Sequence, residues 1–225
     1  MKVEQNLQAI QEKIANACVK ANRNPDEVNI IAVTKYVSIE RAKEALDAGV
    51  THLGENYAEG LNAKWEELQD KPNWHFIGSL QSRKVKNIID KVDYIHSLDR
   101  LSVAKEINKR SNRVIKCFVQ VNVSGEESKH GIQPEELTSF IEALKDYPNV
   151  EVVGLMTMAP LTDDESVLRH CFQTLKSLQI QVQQMELEYA PCTELSMGMS
   201  NDYAIAVEEG ATMIRIGTAL VGEEK

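Results

Sequence analysis

The sequence predicts an α/β fold, a single (β/α)8 TIM barrel with one extra helix at its amino terminus, occupying residues 1–225 as one domain. Three observations carry that expectation. Short apolar runs alternate with longer helical ones along nearly the whole chain. The apolar runs number eight, and a length of 225 residues lies near the usual barrel length of about 250. A doubly wound sheet is the rival. The first strand-to-helix turn, TKYVS, lacks the GxGxxG that cradles a dinucleotide, and no linker or shift of composition divides the chain.

The elements follow in order. Residues 4–22 set Leu7, Ile10, Ile14 and Ala17 on one helical stripe, which RNPDE at 23–27 interrupts. Strand 28–34 is apolar without alternation, as a strand buried on both faces must be. Helix 38–48, strand 51–54, helix 57–69, strand 74–77, helix 81–91, strand 93–96 and helix 100–111 continue the alternation. Strand 115–123 (IKCFVQVNV), helix 134–147, strand 151–156, helix 164–188, strand 193–196, helix 202–209 and strand 212–216 complete it. The acidic run TDDES at 162–166 reads as the N-cap and charged first turn of its helix.

Composition narrows the function. The chain is 43% hydrophobic, enough for a core, and its net charge of -9 disfavours the broad basic surface that nucleic-acid phosphates require. Nucleic acid is therefore not expected as a partner. Cys18, Cys117, Cys171 and Cys192 show no CxxC spacing, so neither a zinc site nor a disulfide framework is suggested, and a cytoplasmic location fits. The amino-terminal segment is amphipathic rather than signal-like, and no stretch approaches the ~20 apolar residues of a membrane span. His52, His130 and His170 have no HxH or HExxH spacing and read as surface or satisfied core residues, so no metal is expected.

In a barrel the carboxyl ends of the strands converge on one mouth. Here they end in Thr34 and Lys35, in GEN (54–56), in HFIGS (75–79), in His96 and Ser97, in VNVSGEESKHG, in GLMTM, in LSMGMSNDY and in RIGT. Lys35 closes the run NIIAVTKY. One reading pairs it with Glu55; in the other, apolar or cationic neighbours lower its pKa and free the amine for attack on a carbonyl, giving a Schiff base. The residues alone leave open an aldolase-type carbonyl substrate or pyridoxal phosphate (PLP). The loops after strands seven and eight, SMGMSND and GTALVG, offer Ser200, Gly217 and Thr218 to a phosphate, against a plainer reading in which Ser200 or Asn201 caps a helix and Gly217 permits a turn. Arg215 either pairs with a core carboxylate or faces a cofactor nitrogen, where its charge disfavours protonation and weakens the ring as an electron sink.

The runs IAVTKY, GENY, WHFIGSLQSRK, SLD, QVNVSGEESKHG, GLMTM, LSMGMSNDY and EGATMIRIGTALVG resemble the pyridoxal phosphate homeostasis protein family from strand one to the carboxyl terminus. The resemblance implies a fold-type III PLP barrel similar to the amino-terminal domain of alanine racemase. By it Lys35 holds PLP as an internal aldimine, Ser200, Gly217 and Thr218 hold the phosphate, Arg215 stands by the pyridine nitrogen, and Asn56 and His75 line the ring. It names no catalytic residue. Arg83 stands where members often carry asparagine, and ALVG replaces a more usual aromatic; neither touches these contacts. The implied function is PLP homeostasis and amino and keto acid balance without turnover, by a monomer whose recipients are PLP-dependent apoenzymes. The alternative is a racemase or decarboxylase-like enzyme, which in this family of barrels carries a second, β domain. Lys129, in the loop SGEESKHG, is a second amine for PLP transfer in one reading and a solvated loop lysine in the other.

Overall fold

The apolar runs become parallel strands β1 (Asn29–Val33), β2 (His52–Glu55), β3 (Asn73–Phe76), β4 (Tyr94–Leu98), β5 (Ile115–Gln120), β6 (Val150–Met156), β7 (Glu194–Ser196) and β8 (Met213–Ile216). They close into a barrel in chain order, with β8 paired back onto β1. The molecule is described by a computed structural model covering residues 2–127 and 130–224; Lys129 lies outside the described residues. The helices are α1 (Val3–Ala21), α2 (Ile39–Asp47), α3 (Ala58–Leu68), α4 (Leu101–Arg110), α5 (Leu137–Ala143), α6 (Glu165–Gln183), α7 (Tyr203–Glu208) and α8 (Thr218–Val221).

The helix before the barrel forms as its stripe requires. Leu7, Ile10, Ile14 and Ala17 are buried, and a fully buried leucine or isoleucine contributes about 1.5–3 kcal/mol. Asn22 ends α1 in the left-handed conformation, φ 52°, and Arg23 then donates to the carbonyls of Val207 and Ala211 at 2.9 and 2.8 Å. That contact fixes the helix against the last βα unit. Ser38 caps α2 by accepting from Arg41 N, and Asp164 caps α6 by accepting from Ser166 N and Val167 N, as the acidic run predicts.

Four elements differ from the expectation. Residues 81–91 hold only a 3-10 run, Ser82–Asn87, followed by turns. Val85, Ile88 and Ile89 are buried at helical spacing, but Arg83, Lys84 and Lys86 put positive charge where the helix dipole is already positive. The stretch 134–147 is α5 between two 3-10 turns, begun by Pro134 and a capping box of Gln133 and Glu136. α6 stops at Gln183, and Glu186 turns at φ 52° to feed β7. β5 stops at Gln120 because the chain folds back on itself there: Asn122 N donates to Ile132 O and Ile132 N to Gln120 O.

Ile31, Phe118, Val153, Met156 and Met213 pack as a cluster of their own, apart from the larger apolar shell that joins the strands to the helices. Cys18, Cys117, Cys171 and Cys192 are all buried thiols. Burial pushes the Cys117 thiol far above its usual range and Cys192 up to about 12. Among the described residues no helix is long and apolar enough to cross a membrane.

Candidate functional site

β1 delivers Lys35 one residue past Thr34, whose N–H donates to Gly54 O at 3.0 Å; Val37 N then returns to Thr34 O at 3.2 Å and turns the chain into α2. Lys35 is half-buried, its Nζ 4.9 Å from the centre of the Tyr36 ring. The plain reading, a Lys35–Glu55 pair, does not occur. Glu55 is wholly buried and is taken by Lys64 of α3: Lys64 Nζ lies 2.9 Å from Glu55 Oε1, and Thr34 Oγ1 donates to the same oxygen at 2.6 Å. Gly60, one helical turn before Lys64, leaves the room; a Cβ there would sit 2.8 Å from Glu55 Oε2. Among the described residues Lys35 makes no ion pair, so its amine is left to the mouth.

Lys35 lines a cavity of about 260 Å³ with Val33, Gly217, Thr218 and the Glu223–Glu224 segment. Glu224 accepts from Ser38 N and Ser38 Oγ at 2.5 and 2.9 Å and so forms a wall of that cavity. A Cβ at Gly217 would meet nothing nearer than Val33 at 3.7 Å, so the turn before α8 leaves open backbone there. Ser200 lies in the turn between β7 and α7. Neither it nor Asn201 caps that helix: its N-cap is Asp202, which makes no side-chain cap bond and whose Oδ1 instead accepts from Met199 N at 2.6 Å. Among the described residues no hydrogen bond is made by the hydroxyl of Ser200 or of Thr218.

Arg215 sits inside the barrel, 4% exposed. No carboxylate pairs with it among the described residues. Its Nη1 donates to Ser196 Oγ and its Nη2 to Thr157 O at 3.0 Å. Burial lowers its pKa to about 10, opposed in part by Asp202, so it stays charged at neutral pH. A buried cation held only by neutral acceptors, with further N–H groups to donate, is suited to a ligand acceptor.

Behind Arg215 runs a line of side chains that sequence reading did not assemble. Ser196 Oγ lies 2.8 Å from His96 Nδ1, His96 Nε2 lies 2.8 Å from His75 Nδ1, and His75 Nε2 lies 2.8 Å from His52 Nδ1. His75 and His96 are wholly buried. Burial, first, and neighbouring positive charge hold both well below the usual histidine pKa. His75, read from the sequence as lining a ring, stacks on Tyr94 at 4.2 Å and has no accessible surface. It can meet a ligand directly only if its neighbours move, and the geometry links it to Arg215 instead. The signal for this line was the inward alternation of His75 and His96 on β3 and β4, which has no meaning until the register is known.

Asn56 follows β2, the strand that pairs with β1, after which Lys35 comes. Its Oδ1 is buried and has no hydrogen-bond partner among the described residues, and neither has Ser97 Oγ near the end of β4. Gly78 lets the loop after β3 cross Asn56, since a Cβ there would stand 2.2 Å from Asn56 O. Orphaned buried polar atoms in a native fold ask for an explanation, and a polar ring in the mouth supplies one. No cluster of three or more metal-ligating residues occurs among the described residues.

The family described as alanine racemase, N-terminal domain, matches residues 5–225. A pyridoxal phosphate homeostasis protein of Aquifex aeolicus is 41% identical over 226 residues, 98% of each chain. The chain belongs to the pyridoxal phosphate homeostasis protein family. A solved structure of a relative, PipY of Synechococcus elongatus with PLP bound, is 32% identical, with a TM-score of 0.85 over 98% of this chain and 100% of that one. The alanine racemase of Corynebacterium glutamicum shares the fold alone: 15% identity and a TM-score of 0.71, with 60% of its length covered.

Proposed function

We propose that this protein binds PLP in the barrel mouth and serves PLP supply and amino and keto acid balance without turnover of its own. The observation that carries the reading is that Lys35, Gly217 and Thr218 line one cavity, in a chain whose relative PipY has been solved with PLP bound. When bound, the cofactor supplies an aldehyde and an electron-withdrawing ring. Lys35 Nζ is the amine that would hold the cofactor through its aldehyde. Ser200 and Thr218 donate their hydroxyls, and the Gly217 turn its backbone, to the phosphate. Arg215 would stand by the pyridine nitrogen and disfavour its protonation, and Asn56 would line the ring, with His75 behind Arg215. The fold-type III barrel acts in the cytoplasm as a monomeric single domain, with PLP-dependent apoenzymes as recipients.

Charge supports the absence of turnover. An arginine at the pyridine nitrogen weakens the electron sink that racemases and decarboxylases need. Tyr36 and Tyr57, the exposed rim tyrosines, stand at the ends of β1 and β2, on the same side of the mouth as Lys35. PLP titration tests the phosphate assignment. A hydrogen bond to a charged group contributes about 1.5–3 kcal/mol, so Ser200→Ala combined with Thr218→Val is expected to weaken PLP binding by more than about tenfold with the fold intact. Unchanged affinity would move the phosphate elsewhere. Sustained formation of D-amino acid, amine or keto acid from single L-amino acids would replace this reading with an enzyme.

A further inference from the structure

The line from Arg215 to His52 has a direction. Arginine only donates, so Ser196 Oγ accepts from Arg215 Nη1. The serine hydroxyl hydrogen then needs an acceptor, and the one in place is His96 Nδ1 at 2.8 Å. His96 therefore carries its proton on Nε2 and donates to His75 Nδ1; His75 carries its own on Nε2 and donates to His52 Nδ1. The opposite polarity would aim His96 Nδ1–H at a serine oxygen already receiving Arg215 and leave the serine proton with no acceptor. An additional proton on His52 or His75 would set two N–H groups face to face across a 2.8 Å contact, and one on His96 would set its Nδ1–H against the Ser196 hydroxyl.

We propose that Ser196, His96, His75 and His52 are positioning residues: a neutral hydrogen-bond chain of single polarity, three Nε2–H imidazoles long, that holds the Arg215 guanidinium from behind and aims its remaining donors at the mouth. Its charge is thus felt four links away, as the tautomer of each ring. The surroundings agree. Phe118 stacks on His96 at 4.2 Å and Tyr94 on His75 at 4.2 Å, so neither ring can rotate to offer the other nitrogen without breaking a stack. His52, at the far end, is half-buried and borders a cavity of about 410 Å³ that α1 covers in part through Leu7, Gln11 and Ile14. The consequence for the cofactor rests on the placing of Arg215 at the pyridine nitrogen proposed above; the polarity of the chain does not.

Nitrogen-15 NMR of the full chain, with and without PLP, tests the polarity directly, because protonated and bare imidazole nitrogens have separate chemical shifts. The expected result at neutral pH is that His52, His75 and His96 each show a bare Nδ1 and a protonated Nε2. An Nδ1–H tautomer or an imidazolium at His75 or His96 would overturn the proposal. Ser196→Ala should then leave His96 in mixed tautomers and weaken PLP by about tenfold, the loss of one hydrogen bond at a charged group. Ser196→Thr, which keeps the hydroxyl, should restore both. Unaltered His96 signals in Ser196→Ala, or no rescue by threonine in a folded protein, would also overturn it. A wild-type chain that takes up no PLP would end the cofactor reading while the nitrogen spectra still decided this one.

Discussion

Lys35→Ala is expected to abolish the covalent adduct that borohydride fixes when the wild-type protein is incubated with PLP. Lys64, the lysine nearest the strand ends on the neighbouring unit, is committed to Glu55 at 2.9 Å and is almost wholly buried, so its lone pair is not on offer. Lys35 has no carboxylate partner among the described residues and lines the cavity that also holds Gly217 and Thr218. Lys35→Arg refines the test: it keeps the positive charge, and a guanidinium, protonated throughout the neutral range, cannot present a neutral nitrogen to an aldehyde. Both variants should show no mass increase of a reduced PLP adduct, while weak non-covalent uptake through the phosphate contacts survives. An adduct of undiminished yield in Lys35→Ala, mapped to Lys129 or elsewhere, would sink the assignment.

The largest expected loss of stability comes from the pair beside it. Lys64→Met should destabilise the protein by about 3–5 kcal/mol, because it strands a buried carboxylate without a counterion. Among the described residues Glu55 would be left with Thr34 Oγ1 as its one side-chain donor, in a site closed by α3. Urea denaturation monitored by circular dichroism gives the number. The double substitution Glu55→Gln with Lys64→Met should recover much of the loss, since what is costly is the unpaired charge and not the absence of the pair. A Lys64→Met protein as stable as wild type would mean that water reaches Glu55. The same pair bears on the site, because Thr34 precedes Lys35 and is held by the carboxylate that Lys64 neutralises.

The barrel was legible because parallel strands buried on both faces leave runs such as NIIAV and EVVGLM, which no amphipathic surface element imitates. Boundaries failed where charge or turn chemistry acted against periodicity, as with the lysines and arginine of 82–87 and the left-handed Glu186. That Lys35, Gly217 and Thr218 line one cavity could be expected from position alone, since residues just past barrel strands converge on the mouth. The line through His96 and His75 could not. It depends on Ser196 pairing across to β8 at Met213 and on β3 and β4 meeting at His75 and Tyr94, and registers of that kind are set by closure of the whole barrel, not by any local run. Lys64 was missed for a similar reason: its partner lies on another element, and only the missing side chain at Gly60 hinted at it.

The four sheltered thiols turn the protein into its own stopwatch. With Cys117 and Cys192 far from ionisation and all four sulfurs out of solvent, an alkylating reagent has no thiolate to attack in the closed barrel. Each sulfur reacts only when its surroundings open. Cys117 on β5 reports opening of the barrel wall, Cys18 the release of α1, Cys171 that of α6, and Cys192 that of the stretch before β7. Labelling followed peptide by peptide, with PLP present or withheld, therefore times how tightly the ligand binds the barrel shut, in a chain that needs no engineered probe.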